Sequence, residues 1–496
     1  MALCLAVLAT ATSLTISTVV LDRIPHVTDG VSYAFQGKLM AAGRLWVDPP
    51  PEPLLFAHEN ILVTATRWCS KYTPGWPVLL ALGWLLGAPW AVAPLLLGVA
   101  VLGAWRLGSV LHGPAIGLLA AAALAASPFA LMMSAGFLAH TPALCAGVWC
   151  LALLAEAVVL ERPKRLWAAG LLGGFMFLVR PYTAVLLIAP AVVWALIKLR
   201  RTAVVAWLAL GGLPAAIVFL VYNKIVFGGA LVTGYALESP GQYGSAAAMS
   251  VTLGEALGLN LPWLLEHLGS ALWGLPLSDW LLFLPLLWPR AGRSRDVLLA
   301  ACAASLVLGH CMYFYPRDEL YSGPRFVFEV LGPLAVLAAR SLQTLGTGVV
   351  WLVDRLPAAA PRRLLRGAAF ACGAGCLLWF PIGNRLPAQM TREAQWYLAV
   401  SGEPLRRMTA AGVGRSALVF VAGTPYCYSG MFLENDFPLS SGGRVFVRDI
   451  PPLRAAAIRL YPRQEIWRAW VQVDIWDPEN SPDLARPVAV NWTRLR

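Results

Sequence analysis

Long apolar runs separated by short polar stretches fill the first 380 or so residues. A bilayer-spanning helix needs about 20 mostly apolar residues. Windows that meet or approach this length lie at 2–20, 88–106, 115–134, 141–160, 166–180, 182–198, 203–222, 276–289, 297–315, 326–340 and 367–382. The pattern therefore predicts about eleven membrane spans, with 74–87 as a further apolar stretch forming a re-entrant or interfacial helix. Segment 2–20 has neither a basic start nor a convincing cleavage site, so it reads as a retained helix rather than a signal peptide. An amphipathic helix is expected over 31–43, and an interfacial helix with a basic linker over 341–366. After residue 382 the pattern changes in kind. Stretches 417–422 (ALVFVA) and 444–448 (RVFVR) read as strands and 451–470 as a helix, with Gly and Pro between them. The expected fold is mainly α, a polytopic membrane module over 1–382 with a small C-terminal extracytoplasmic α/β domain over 383–496.

Composition agrees with this reading. The chain is 58% hydrophobic and only 13% charged, with a mean hydropathy of +0.66. Typical soluble domains carry about 25% charged residues, so half the usual charge excludes an ordinary cytosolic enzyme and a disordered chain. Nine cysteines, seven of them in apolar runs, exclude a disulfide-stapled secreted module. The net charge of +12 would suggest nucleic acid in a soluble protein; here positive-inside loops account for it, and no nucleic-acid partner is expected. With the N-terminus inside, the inner loops hold 15 Lys and Arg, the outer loops nine and the tail 14. That topology places 21–75, 223–275, 316–325 and the tail on the outer face.

The chain has no Walker loop, dinucleotide-binding glycine fingerprint, HExxH or CxxC motif. The NWT at 491–493 matches a glycosylation sequon by pattern only. Candidate chemistry therefore lies in the outer loops and at span ends. Asp29 follows the first span directly. An acid at the membrane boundary is costly unless paired or used, while an N-cap for the following helix is the plainer reading. Lys71 and Arg67 stand where the chain re-approaches the membrane, placed either to hold a lipid phosphate or to snorkel towards headgroups. His58 and Glu59 read as a metal or acceptor-binding pair or as plain surface polarity. Tyr72 lies beside Lys71. Arg180 ends GFMFLVR with Pro181 next, at the outer boundary, facing a cavity or paired with an acid. His140 caps another outer turn. Arg325 and Glu329 are four apart, a spacing that lets them pair with each other. Tyr313, Tyr315 and Tyr321 fit an aromatic belt.

Several segments together are familiar: HVTDGVSYAFQGKLMAAGRLW, RWCSKYTPGWPVLLALG, GGFMFLVRP, YNKIVFGGALVTGY and YSGPRFVFEVLGPLAVLAAR, all within residues 26–340. In this order they resemble the GT-C superfamily of membrane glycosyltransferases, in the branch of protein O-mannosyltransferases and the lipid A aminoarabinose transferase. The resemblance implies an inverting glycosyltransferase in a bacterial inner membrane, with a polyprenyl-phosphate-linked sugar donor and a glycan, lipid or protein acceptor. It implies Asp29 as catalytic base, Lys71 towards the donor phosphate and a basic residue at Arg180; Arg67 and Arg325 are further cations expected to stabilise the departing phosphate. His58, Glu59, Tyr72 and His140 are auxiliary or acceptor candidates. Relatives often carry a second acid in the turn where this chain has His140, so neither a metal nor another cofactor is expected. The rival readings are a polymerase or ligase of lipid-linked glycans, a flippase and an assembly scaffold. A flippase needs ionisable groups deep in several spans, for which Glu156 and His310 are the main candidates. The resemblance does not reach 383–496.

Overall fold

Helices form where the apolar windows fall. The computed structural model describes residues 1–239, 250–273, 282, 284–287, 292–314, 317–321, 323–356, 361–396, 400–440, 442–477 and 481–496. Among these, seven helices are long and apolar enough to cross a membrane: Ala2–Val19, Pro89–His112, His140–Val159, Pro181–Lys198, Arg201–Phe227, Arg293–Cys311 and Arg325–Asp354. A bent pair of apolar helices, Pro114–Ala125 and Pro128–Ala135, meets at 57°, the geometry of a broken span or a re-entrant loop. The sequence explains the break. Pro128 offers no backbone N–H, and the Ser127 hydroxyl caps the new helix by accepting from the Ala130 N–H at 3.3 Å. Arg165–Val179 is a shorter apolar helix in the expected 166–180 window. The 276–289 window lies largely outside the described residues, and the 367–382 window falls on Arg362–Leu378 and the π-helical turn Trp379–Arg385.

The elements that position the site are α1 (Ala2–Val19), α2 (Thr28–Ala41), the hairpin β1–β2 (Ile61–Val63, Trp68–Ser70), α3 (Gly75–Leu85) and α4 (Val92–His112). The broken pair supplies α5 and α6, and His140–Val159, Arg165–Val179, Pro181–Lys198, Arg201–Phe227 and Gly234–Glu238 are α7 to α11. Helix α4 packs against α1, α5 and α7, and α8 lies between α7 and α10. Helix α3 docks on the end of α8 through Gly75, where a Cβ would come within 2.6 Å of the Leu178 carbonyl carbon. The helix expected at 31–43 runs from Thr28 to Ala41. Residues 341–354, expected to lie along the interface, instead continue the span that begins at Arg325, since no proline interrupts them. At the end of the bundle away from the first loop, Asp296 is completely buried between Arg340 at 3.2 Å and His112 at 3.1 Å. Glu156 pairs there with Arg106 at 2.6 Å and Arg165 at 3.1 Å.

The tail carries a four-stranded sheet. Two short strands, β3 (Glu319–Leu320) and β4 (Gly323–Pro324), form a hairpin before it. In the tail, β5 (Ala417–Ala422) lies between β6 (Val445–Arg448) and β7 (Glu465–Asp477), parallel to both, and β8 (Ser481–Arg494) runs antiparallel to β7. Every residue of β5 is buried, as expected for a central parallel strand covered on both faces. The helix expected over 451–470 is confined to Arg454–Leu460. Pro462 cannot continue it, and the aromatic and β-branched run from Glu465 belongs to β7. The tail packs on the first loop. Arg406 pairs with Asp22 at 2.5 Å, and the Lys38 ammonium donates to the Leu433 and Asn435 carbonyls at 2.9 Å each. The Phe35 ring meets Phe432 and Phe437 edge-on, with centroids at 5.5 and 4.8 Å. The tail and the first loop therefore share one face of the bundle.

Candidate active site

The site forms where α2, the β1–β2 hairpin and the start of the last long span meet. Helix α2 is held to the hairpin by polar contacts. The Gln36 side-chain carbonyl accepts from the Ser70 N–H at 2.9 Å, the Ser32 hydroxyl donates to the Asn60 carbonyl at 2.6 Å, and the Ser32 and Ser70 hydroxyls are 2.7 Å apart. These contacts fix how the residues just after β2, Lys71 and Tyr72, face the first turn of α2.

Asp29 stands in that first turn but is not its cap. The N-cap position is Val27, which offers no side-chain bond. One Asp29 oxygen accepts from the Tyr72 hydroxyl, and the other lies 3.3 Å from the Arg325 guanidinium. Burial pushes the Asp29 carboxyl up. Arg325, the Tyr72 hydroxyl and Lys71 together outweigh that, holding it below the ordinary aspartate value. Tyr72 is itself fixed by stacking on Tyr33, with ring centroids 4.1 Å apart. The carboxylate is thus preorganised, ionised and pointed at a cation.

The other cations of this region are also held by acids. Arg325 reaches Asp318 at 2.6 Å as well as Asp29. Burial raises the Asp318 carboxyl above its usual range, with Asp29 adding to the rise and Arg325 opposing it. Arg180 occupies the break between α8 and α9. Its backbone is non-helical because Pro181 excludes the helical conformation from the preceding residue. Its guanidinium spans both oxygens of fully buried Glu329 at 2.8 and 3.1 Å and donates to the Phe326 carbonyl at 3.4 Å. The Lys71 ammonium meets Glu238 of α11 at 2.5 Å, with the rings of Tyr235 and Tyr72 at 4.9 and 5.4 Å.

This arrangement corrects several expectations. Glu329 pairs with Arg180, not with Arg325 four residues before it, because the 3-10 turn Arg325–Val330 carries a non-helical residue, Val327, and turns the two side chains apart. Arg67 lies outside the cluster: it donates to the Val226 carbonyl at 2.7 Å and covers the Trp46 ring. His58 serves the tail, its Nε2 lying 2.9 Å from the Ser429 hydroxyl and its Nδ1 2.9 Å from the Glu59 carbonyl. Glu59 itself is exposed. His140 is buried with its ring edge-on to Phe328, centroids 6.2 Å apart. His310 lies 3.0 Å from the Leu306 carbonyl through its Nδ1, and Glu156 pairs with its two arginines. Sequence reasoning missed Glu238, Asp318, Tyr33 and Tyr235; Asp318 stands seven residues before its partner Arg325, whereas the other three lie far from theirs along the chain.

Two kinds of comparison place the chain. Residues 74–223 match the family model described as dolichyl-phosphate-mannose-protein mannosyltransferase. By structure, the chain resembles ArnT from Cupriavidus metallidurans bound to undecaprenyl phosphate, with a TM-score of 0.56 at 14% identity, covering 98% of this chain and 97% of that one. This likeness shows a shared fold along nearly the whole chain. The fold likeness extends to the archaeal oligosaccharyltransferase AglB from Archaeoglobus fulgidus, solved with an inhibitory peptide and a dolichol-phosphate. There the TM-score is 0.52 at 11% identity, over 95% of this chain and 69% of that one. No curated protein sequence matches the chain. The tail, outside the sequence resemblance, is inside the shared fold, since the ArnT match covers nearly the whole chain.

Proposed function

We propose that this chain is a GT-C glycosyltransferase that moves a sugar from a polyprenyl-phosphate donor to an acceptor hydroxyl at the extracytoplasmic face of a bacterial inner membrane, with inversion at the anomeric carbon. The observation that carries the reading is Asp29: a preorganised, ionised carboxylate in contact with a cation, at the boundary where an amphiphilic donor meets water. In the reaction the acceptor oxygen attacks the anomeric carbon as the carbon–oxygen bond to phosphate breaks. The bonding pair leaves on the phosphate oxygen, and the acceptor proton passes to Asp29. Lys71, Arg325 and Arg180 face the charge that develops on the departing lipid phosphate. A donor phosphate that draws Arg325 away from Asp29 also removes part of what holds the carboxyl down, making it a stronger base when substrate is present.

Asp29→Asn tests this directly. Asn keeps the shape and one acceptor oxygen but takes no proton at neutral pH. Since a positioned base is worth roughly 100- to 10,000-fold, the purified variant should bind undecaprenyl phosphate and transfer sugar slower by about that factor. Near-normal transfer would sink the assignment.

A further inference from the structure

The cations around Asp29 are each held by a carboxylate. Lys71 is held by Glu238, Arg180 by Glu329, and Arg325 by Asp29 and Asp318. A donor phosphate therefore does not enter an empty cationic pocket. It has to take a cation from a carboxylate, and the three pairs differ in how readily they yield. Glu329 is fully buried and bridges Arg180 through both oxygens. Arg325 is shared by two acids. Glu238 meets Lys71 through a single oxygen, and its side chain is 26% exposed against 6% for Lys71. It belongs to a five-residue helix, α11, rather than to a span.

The local packing makes this contact specific. Gly234, which opens α11, lies so close to Lys71 that a Cβ would fall 2.3 Å from the Lys71 carbonyl oxygen. The absence of a side chain lets α11 lie flat on the Lys71 backbone and carries Glu238 over the ammonium. The Tyr72 and Tyr235 rings take two other sides of that ammonium. The carboxylate holds the wetter side.

We propose that Glu238 occupies, on the Lys71 ammonium, the place that the donor phosphate takes, so that donor binding is an exchange of one anion for another and Glu238 sets its affinity. The inference rests on the reading of Lys71 as a donor-phosphate residue. The charges fit an exchange. A polyprenyl-phosphate sugar is a phosphodiester with one negative charge, replacing the one charge of Glu238. The lipid phosphate left after transfer carries between one and two at neutral pH, as its second pKa is near 6. That product holds Lys71 more strongly than the donor does, and the return of Glu238 favours its release.

The test uses the full chain in nanodiscs with undecaprenyl phosphate as the probe. Removing a competing carboxylate from a largely buried cation takes away part of its compensation and raises its affinity for another anion. Glu238→Gln and Glu238→Ala should each bind the probe roughly fivefold tighter or more, about 1 kcal/mol on the scale of 1.4 kcal/mol per tenfold. Unchanged or weaker binding in both overturns the exchange, because an acid that merely positions Lys71 would lose affinity when removed. A general loss of negative charge is separated by a double-mutant cycle. In the Lys71→Met background Glu238→Gln should give no gain, and a gain that survives there also overturns the proposal. Lys71→Met alone keeps the two readings apart. If it leaves probe binding untouched, the assignment of Lys71 to the phosphate fails and the exchange with it. If it weakens binding while Glu238→Gln does not tighten it, only the exchange fails.

Discussion

Asp29 depends on its neighbours for its ionisation. Burial alone would raise its carboxyl, and Arg325, Tyr72 and Lys71 reverse that. Because the folded-state pKa lies below the ordinary value of 3.8, the free enzyme keeps Asp29 charged through the whole mildly acidic range. The acid limb of kcat/KM, which reports groups of the free enzyme, should then receive no contribution from Asp29 above about pH 4. Arg325→Gln removes the largest opposing charge and leaves the burial, so the carboxyl rises. Measured from pH 4.5 to 8, kcat/KM of the variant should fall on acidification at a pH where the parent enzyme is unaffected. An unshifted limb would mean that Arg325 does not tune Asp29. The residues at span boundaries were legible because charge there needs a reason. Their partners were not: Lys71 and Glu238 lie 167 residues apart, Arg180 and Glu329 149, and Asp29 and Arg325 296.

Helix α2 joins Asp29 to the tail. Asp29 opens it and Lys38, nine residues on, is anchored to two tail carbonyls while Phe35 packs between Phe432 and Phe437. Hydrogen bonds to a charged group are worth about 1.5–3 kcal/mol each. Lys38→Met keeps much of the stem and loses both. Sugar transfer should drop several-fold with undecaprenyl phosphate binding near that of the parent, and limited proteolysis should release the tail faster. Equal proteolysis would show that Lys38 does not hold the tail. The same contact contains His58, whose imidazole is held down to about 4 by burial, with a small opposing pull from the Glu59 carbonyl. Its neutral form is the docked one, so its contribution to docking is full above the free value of 6.5 and is lost as pH falls from there towards 4. Proteolysis of the tail should therefore quicken between pH 7 and 5, and less so in His58→Gln. At this scale the sequence was read well where one period dominates and poorly where two compete. Helix α2 was placed within three residues at its start, whereas the 451–470 window hid a short helix, a proline stop and a strand.

At the scale of the whole molecule, the first loop, the Asp29 cluster and the tail occupy one end of the bundle. The Asp296–Arg340–His112 and Glu156–Arg106–Arg165 clusters occupy the other. Arg106, Arg165 and Arg340, all expected inside, lie at that second end, and from the positive-inside rule we propose that the first end is outside. Ser440 is exposed on the tail. A Ser440→Cys chain, with the exposed Cys4 and Cys372 replaced by Ser, should react with an impermeant thiol reagent added to intact spheroplasts. Labelling only after lysis would reverse the topology. The sequence by itself determined the membrane class, most of the described helices and four of the charged residues at the candidate site. Each of these follows from local hydrophobic period or from the cost of placing charge at a boundary, and both are readable within a window of about 20 residues. Only the tertiary structure decided which acid neutralises which cation, that Asp29 is a partner of Tyr72 and Arg325 rather than a helix cap, and that the tail rests on α2. Those outcomes depend on where distant elements cross, and an ion pair formed across the bundle leaves no periodic trace in the chain.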